Sequence, residues 1–266
     1  NSGNSGSQAV TGAGAMALGG SYASGTDSFA AAIANNTSSF GATGANSVAI
    51  GDRSKATASR SIAISGFGAI ASGTESVAIG YQANASEEGS LALGEASVSN
   101  SRFGVAIGQA STQGVRYRHA YGGNRFSSTG DCQAGLFILK VATTDATPDV
   151  LCTDTLAPSS INQVILPNNS AYSFSGTIIA RESAAAGSDY ASWEIKGALL
   201  RDANAASTVL GNGIKNKLYA SAGASAWDIA LTADTTNGGL KIEVTGAAAT
   251  NIRWVATVNT SEVTYA

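Results

Sequence analysis

A pattern of serine, aliphatic residue, alanine, aliphatic residue and glycine recurs along residues 1–122 of this chain of 266 residues. The clearest copies are Val48-Ala49-Ile50-Gly51, Val77-Ala78-Ile79-Gly80, Leu91-Ala92-Leu93-Gly94 and Val105-Ala106-Ile107-Gly108. The weaker copies are Met16-Ala17-Leu18-Gly19, Ala31-Ala32-Ile33-Ala34, Ile62-Ala63-Ile64-Ser65 and His119-Ala120-Tyr121-Gly122. The central alanines at 17, 32, 49, 63, 78, 92, 106 and 120 are spaced by about 14 residues, which predicts one structural turn per repeat.

Between these copies lie short segments of small residues, such as Ala83-Asn84-Ala85. A repeat of this length holds two short strands and two tight turns, which is one rung of a parallel β-roll. Glycine suits the turns because it adopts positive φ and lets neighbouring rungs approach closely. We therefore expect about eight rungs of 14–15 residues and no helices in this region.

The first strand of each repeat has two apolar faces, because Val77 and Ile79 point one way and Ala78 the other. In the second strand, Gln82 and Asn84 make one face polar. A narrow roll has only one interior, so the other apolar face of the first strand must be covered from outside. Two aliphatic side chains contribute roughly 3 to 6 kcal/mol, whereas ordering one repeat costs on the order of 20 kcal/mol. We therefore expect copies of the same chain to pack together around an axis.

Composition excludes several other classes of protein. Charged residues make up 12 % of the chain, compared with about 25 % in an average soluble domain, and the net charge is −3. This balance argues against binding to nucleic acid or to an anionic membrane. No apolar run approaches the roughly 18 residues that span a bilayer, so we expect a soluble chain without membrane insertion. Because the chain starts at Asn1 and carries no signal peptide, we expect a fragment or a processed product.

The repeat over residues 9–122 resembles the YadA-like head repeat of trimeric autotransporter adhesins, which also occurs in bacteriophage tail fibres. The resemblance implies a left-handed parallel β-roll and a homotrimer. The calcium-binding nonapeptide roll is excluded, because its aspartate-containing turns are absent.

The last repeat leads into a segment that is dense in arginine and aromatic residues. As a ligand site, it would bind an anionic sugar or phosphate through guanidinium groups and rings. As a structural cap, its aromatic rings would plug the roll and its arginines would pair with carbonyls or carboxylates of the next domain, and we favour this alternative. The candidate ligand-binding residues here are Arg116, Tyr117, Arg118, Tyr121 and Arg125.

His119 is the only histidine, and it replaces an aliphatic residue of the repeat. Three copies could meet at the axis of a trimer and bind a metal or an anion. Because no cysteine or carboxylate neighbours this histidine, we predict no metal site.

A second domain is predicted over residues 133–266, joined to the roll by a neck over 123–132. The repeat stops here, and Pro148, Pro158 and Pro167 all lie in this half. The predicted strands cover 133–142, 149–153, 161–166, 171–181, 190–201, 225–233, 239–245 and 251–258. Eight strands without helical periodicity favour an antiparallel β-sandwich of jelly-roll type.

The three tryptophans of this half, Trp193, Trp227 and Trp254, each alternate in phase with aliphatic residues, which predicts core packing. The tyrosines are better candidates for exposed contact with a ligand. They are Tyr172, Tyr190, Tyr219 and Tyr265, of which the first three are included among the candidate ligand-binding residues.

Residues 130–266 resemble the carboxy-terminal domain of many phage and prophage tail-fibre proteins. The segments that carry this resemblance are Gly130-Asp131-Cys132-Gln133, Leu166-Pro167-Asn168-Asn169-Ser170 and Ile252-Arg253-Trp254-Val255-Ala256. The absence of coiled-coil heptads and of membrane-barrel strands favours the phage interpretation over a bacterial adhesin.

Motifs for catalysis are absent. No nucleophile elbow or P-loop occurs, and a single histidine excludes most histidine-based mechanisms. The carboxylates Glu87, Glu88, Asp189 and Glu194 could be nominated for glycan cleavage, but solvated turns explain them better. Spacing predicts that Cys132 and Cys152 are free thiols, with Cys152 opposite about Ile138. We expect no enzyme activity and no cofactor.

Together these features predict part of a homotrimeric phage-type tail fibre that binds a bacterial surface glycan or protein by multivalent contact. The expected location is the virion tail. The alternatives are the head of a trimeric autotransporter adhesin at the bacterial surface, which binds host matrix, and a depolymerase spike that cleaves capsule or lipopolysaccharide.

Overall fold

The computed structural model describes residues 10–19, 21–32, 40–183 and 187–265. They fall into two units. The first unit comprises Asn1–Gly114 and His119–Cys132, and the second comprises Val115–Arg118 and Gln133–Ala266.

The first unit is built from short parallel strands. They are β1 (Met16–Gly19), β2 (Phe29–Ala32), β3 (Gly41–Ala42), β4 (Val48–Ile50), β5 (Lys55–Ala56), β6 (Ile62–Ile64), β7 (Ile70–Ala71), β8 (Val77–Ile79), β9 (Asn84–Ala85), β10 (Leu91–Leu93), β11 (Val98–Ser99), β12 (Val105–Gln109), β13 (Thr112–Gln113) and β14 (His119–Gly123). One sheet runs β1-β2-β4-β6-β8-β10-β12-β14, and the other runs β3-β5-β7-β9-β11-β13. This is the predicted β-roll, with one strand of each sheet in a complete repeat.

The pairing register places each repeat directly on the next. Ala63 pairs with Ala49 on one side and with Ala78 on the other, and the same column continues to Ala120. The prediction was wrong for the second repeat, where Ala30 rather than Ala32 occupies this column between Ala17 and Ala49. The remaining residues assigned to that copy, Ile33 and Ala34, lie outside the described residues.

Alanine fills the interior of the roll. The column alanines from Ala49 to Ala120 have no exposed surface, as have Ala56, Ala71 and Ala85 of the second sheet. The aliphatic residues on either side of each column alanine point outward and are half-buried or exposed. Alanine methyl groups therefore fill most of the space between the two sheets, and Ser99 and Gln113 continue the second column in the last rungs.

The glycine that follows most of the first strands is needed for close approach of rungs. Gly80 and Gly94 have φ values of 128° and 121°. A Cβ atom on Gly80 would lie 2.6 Å from the carbonyl oxygen of Gly94, and one on Gly94 would lie 2.4 Å from that of Gly108. Both roles expected of these glycines are confirmed.

Two columns of turn residues adopt left-handed backbone, and most of them are not glycine, although glycine was expected to supply the turns with positive φ. The first column comprises Asn46, Arg60, Glu75, Gly89, Phe103 and Tyr117, and the second comprises Arg53, Gly68, Gln82, Ala96 and Ala110. The stacked rungs therefore impose this conformation on residues that rarely adopt it.

A buried serine opens most of the repeats and in most of these it bonds to the preceding turn. The hydroxyl groups of Ser47 and Ser61 donate to the carbonyl oxygens of Gly44 and Ala58, both at 2.7 Å. Ser76 is equally buried, but its hydroxyl has no hydrogen-bond partner. Serine thus satisfies a turn carbonyl in most rungs.

The second unit consists of longer strands with antiparallel pairing. They are β15 (Cys132–Thr143), β16 (Asp149–Val150), β17 (Val164–Ile165), β18 (Ser170–Glu182), β19 (Tyr190–Arg201), β20 (Val209–Ala220), β21 (Asp228–Asp234), β22 (Gly239–Thr245) and β23 (Ile252–Thr264). One sheet has the order β15-β23-β18-β19-β20, and in the other β22 pairs with β16, β17 and β21. Strand β20 was missed in the sequence.

Both sheets of the second unit contribute to one core. Trp193 and Trp254 lie 5.6 Å apart between ring centroids, and Trp227 lies 5.9 Å from Trp254. All three are at most 1 % exposed, which confirms the predicted core packing. The more specific jelly-roll sandwich remains a prediction.

Helical structure is nearly absent. In the described ranges it is limited to the 3₁₀ turns Ala205–Ser207 and Ala222–Ala224. No helix within these ranges is long and apolar enough to cross a membrane.

Candidate functional site

The outward side of the first sheet carries a continuous row of large aliphatic side chains, which we call the aliphatic face. It is formed by the residues that flank the column alanines in β4, β6, β8, β10 and β12. Ile50 and Leu93 at its surface are 36 % and 39 % exposed. An unbroken apolar row of this kind is typical of a surface that contacts another molecule.

The turns of the roll carry contacts between side chains 14 or 15 residues apart. The guanidinium carbon of Arg53 lies 4.7 Å from the ring centroid of Phe67, and Phe67 stacks on Tyr81 at 5.5 Å. Arg60 pairs with Glu75 at another turn, at 2.6 Å. These exposed contacts link consecutive rungs, and each adds little stability by itself.

Arg116 and Arg118 form ion pairs with carboxylates of the second unit. Arg116 Nη1 lies 3.1 Å from Asp154 Oδ2. Arg118 is 3 % exposed, pairs with Glu262 and lies over the ring of Phe137. The pairing expected of a structural role is therefore present for both arginines. Burial makes Arg118 inaccessible to a surface ligand, contrary to its nomination as a binding residue.

Tyr172 was expected to be exposed, and this expectation is wrong. The side chain is 2 % exposed and lies in the core of the second unit. Burial raises the pKa of its hydroxyl, and interactions with Arg118 and Glu262 also act on it. Its phase along β18 matches the buried residues Phe174 and Ile178.

Tyr117, Tyr121 and Arg125 are exposed, as a ligand site would require. Tyr121 and Phe126 are 43 % and 79 % exposed, so the expected aromatic plug of the roll is not formed by these two residues. Tyr121 continues the aliphatic face, because it pairs in register with Ile107.

His119 pairs with Val105, which confirms that it occupies an aliphatic position of the repeat. Within the described ranges of this chain, no group of three or more histidine, cysteine, aspartate or glutamate residues could hold a metal ion.

Asp131 fixes the segment that follows the roll. Its carboxylate accepts the backbone N–H groups of Phe126, Ser127 and Ser128 at 2.7–2.9 Å. Burial alone would raise the pKa of Asp131, but these hydrogen bonds outweigh it and lower the pKa. The carboxylate is thereby held in its charged form.

Tyr190 and Tyr219 form an exposed stacked pair on the second unit. Their ring centroids lie 4.8 Å apart, and the rings are 42 % and 48 % exposed. A hydrogen bond with Tyr190 raises the pKa of Tyr219, so its hydroxyl stays protonated at neutral pH. The structure thus brings together two of the three tyrosines nominated in this half.

A cavity of about 590 Å³ opens beside the first sheet of the second unit. Its lining includes Lys140, Asp149, Cys152, Leu156 and Arg253. Burial raises the pKa of the Cys152 thiol to about 12, so it is protonated and a poor nucleophile. The two cations were missed because strand alternation was used only to find the core. The same alternation places Arg253 on the face opposite Trp254.

The cysteines are unpaired with each other, and two of the nominated carboxylates contact neighbouring side chains. Cys132 and Cys152 are free thiols, as predicted, although Cys152 pairs with Lys140 rather than with Ile138. Glu88 pairs with Arg102, and Asp189 accepts a hydrogen bond from Ser221 at 2.6 Å.

The stacked rungs, the alanine interior and the outward aliphatic face define a β-roll of adhesin-like type. Residues 42–64, 71–94 and 85–111 match the family described as the YadA head domain repeat. The first unit therefore carries YadA head repeats, which confirms the resemblance found in the sequence. No curated protein matches the chain significantly.

Three solved structures of phage tailspikes share a weak likeness with this chain. The tailspike gp49 of Acinetobacter baumannii bacteriophage Fri1, a capsular polysaccharide depolymerase, is 11 % identical with a TM-score of 0.30, over 94 % of this chain and 45 % of its own. The tailspike of A. baumannii phage AM24 is 7 % identical with a TM-score of 0.26, over 95 % and 43 %. That of Acinetobacter phage vB_ApiP_P1 is 9 % identical with a TM-score of 0.22, over 94 % and 46 %. The chain spans less than half the length of each tailspike, and TM-scores this low do not establish a shared fold.

Proposed function

We propose that this chain is part of a homotrimeric tail fibre of phage type, which binds a bacterial surface glycan or protein without cleaving it. The observation that carries the proposal is the aliphatic face on a roll made of YadA head repeats. Three weak sites held on one trimer bind a cell surface far more tightly than one site does.

The aliphatic face supports assembly because the roll by itself buries little large apolar side-chain surface. Its interior contains alanine side chains, and the larger aliphatic side chains lie outside. Packing these faces around a common axis removes the apolar surface from water and supplies stabilisation that the interior lacks. The exposed hydrophobic residues of β20, such as Leu218 at 56 % and Val209 at 53 %, would gain the same protection in a trimer.

Sedimentation velocity of the intact chain tests the assembly. We expect a species of three times the chain mass of 26.4 kDa. Ile79→Asp places a charge on the aliphatic face and should dissociate the trimer, whereas the matched control Gln82→Asp places the same charge on an exposed turn and should not. A wild-type chain that sediments as a monomer would overturn the proposal.

Binding to intact bacteria tests the adhesive role. The trimer should be retained on cells that carry the receptor and lost from cells stripped of surface polysaccharide. Release of new reducing ends from purified capsule or lipopolysaccharide would instead make the protein a depolymerase.

The head of a bacterial adhesin is a second candidate, because the matched repeat family takes its name from the YadA head domain. Binding to immobilised host matrix proteins, without binding to bacteria, would favour that function.

A further inference from the structure

One exposed side chain from each strand of β15-β23-β18-β19-β20 forms a row across the sheet, which we call the cross-strand row. Its members in strand order are Lys140, Arg253, Arg181, Tyr190 and Tyr219. Arg181 lies directly opposite Arg253 on one side and Tyr190 on the other. Tyr190 stacks on Tyr219, and Lys140 lines the same cavity as Arg253.

The opposed arginines are the unusual feature of this row. Like charges directly across an antiparallel pair destabilise a sheet. Within the described part of the second unit, neither Arg181 nor Arg253 forms an ion pair, and neither does Lys140. No ion pair of the described residues therefore offsets the repulsion, whereas a bound anion would.

Three aspartates lie near the row, and among the described residues none of them forms an ion pair with its cations. Asp149 lines the cavity, and its carboxylate accepts the N–H of Val150 at 2.8 Å. Asp154 is committed to Arg116 and Asn162. Asp189, next to Tyr190, accepts hydrogen bonds from Ser221 and from the N–H of Gly223. The guanidinium groups keep their donors for a ligand.

The tyrosine pair gives the row an apolar end with polar tips. Stacking fixes both rings while each stays more than 40 % exposed. An aromatic ring packs against the apolar C–H face of a sugar, and its hydroxyl can bond to sugar hydroxyls. The guanidinium fork matches a carboxylate with two parallel hydrogen bonds.

Neighbouring strands are about 4.8 Å apart, so the five positions span roughly 19 Å. This length suits several linked sugars rather than one small anion. Val255 and Ile179, directly opposite each other one step along the same face, add an apolar border.

We propose that the cross-strand row binds an acidic polysaccharide, with sugar carboxylates on Arg181, Arg253 and Lys140 and sugar rings on Tyr190 and Tyr219. This inference rests on the proposed function and names the class of glycan that the second unit recognises. The polysaccharide would lie across the strands.

The test uses the full chain and polygalacturonate as the probe. Arg181→Glu turns the repulsive pair with Arg253 into an attractive one, so it should weaken binding by roughly tenfold or more while leaving thermal stability equal or higher. The matched control Lys196→Glu makes the same charge change on the same face of β19, outside the row, and should weaken binding less than about twofold. Carboxyl-reduced polygalacturonate, which keeps the sugar rings, should not bind.

Equal losses from Arg181→Glu and Lys196→Glu would overturn the proposal, because binding would then depend only on net charge. Equal binding of the reduced polymer would also overturn it. A change in sedimentation caused by Arg181→Glu would show that the row is a contact between chains. If the chain does not bind bacteria but still binds polygalacturonate specifically, the proposed function is rejected and this inference stands.

Discussion

The two units bury very different side chains. The first unit fills its interior with alanine and leaves its valines, leucines and isoleucines outside, whereas the second unit buries three tryptophans among phenylalanine, leucine and isoleucine. The second unit thus contains a core of its own, while the apolar side chains that could stabilise the roll face outward. The second unit therefore covers its large apolar side chains by itself, whereas the roll does not.

The largest expected effect is a loss of stability in the second unit alone. Trp254→Ala removes the ring that contacts both other tryptophans and donates to Thr143 Oγ1 at 3.0 Å. We expect a loss of about 3–5 kcal/mol in the free energy of unfolding of the second unit. Hydrogen exchange, resolved by peptide, should show faster exchange only in the second unit, in residues 115–118 and 133–265.

The control for this change is Val255→Ala, whose side chain is 41 % exposed on the same strand and should cost about 0.5 kcal/mol or less. Faster exchange throughout the roll in Trp254→Ala would mean that the units do not unfold independently.

A smaller effect is expected inside the roll. Ala78 is completely buried in the interior of the roll. Ala78→Leu inserts a larger, branched side chain there, and the overpacking should lower the free energy of unfolding by about 1–3 kcal/mol per chain. Thermal unfolding of the full chain measures the change. The same substitution at Ala96, a half-buried turn residue, should cost less. An unchanged unfolding temperature in Ala78→Leu would show that the roll interior is adaptable.

The smallest effect concerns the serines of the repeat. Ser61→Ala removes the hydrogen bond to Ala58 and should cost about 1 kcal/mol. Ser76→Ala is the matched control, because its hydroxyl is buried without a partner, and it should be neutral or slightly stabilising. Chemical denaturation of both variants decides the point. Equal losses would mean that serine contributes by packing rather than by hydrogen bonding.

The regular repeats were predictable because a fixed period assigns every residue to a face. The period fails between Ala30 and Ala49, where the spacing differs, and the prediction then placed Ala32 in the column. Strand β20 was missed because it is exposed along nearly all its length, so no buried face produces an alternating pattern.

The candidate site was less predictable, because it depends on contacts between distant residues. The burial of Tyr172 could have been inferred from its phase with Phe174 and Ile178. The pairing of Arg118 with Glu262 joins residues 144 positions apart, and no local pattern signals it. The opposition of Arg181 and Arg253 likewise requires the register of β18 and β23.

The left-handed turn columns of the roll have a consequence for variation. Phe103, Glu75 and Arg60 share one backbone conformation although their side chains have nothing in common. The rung therefore dictates the shape of the turn and leaves its chemistry open. In each column the turn residues of successive rungs lie about 4.8 Å apart. A substitution at one of these positions can change its charge or aromatic character without altering the rungs below and above. Duplication of one repeat would add one more turn residue to each column, so the length and the surface of the roll can evolve separately.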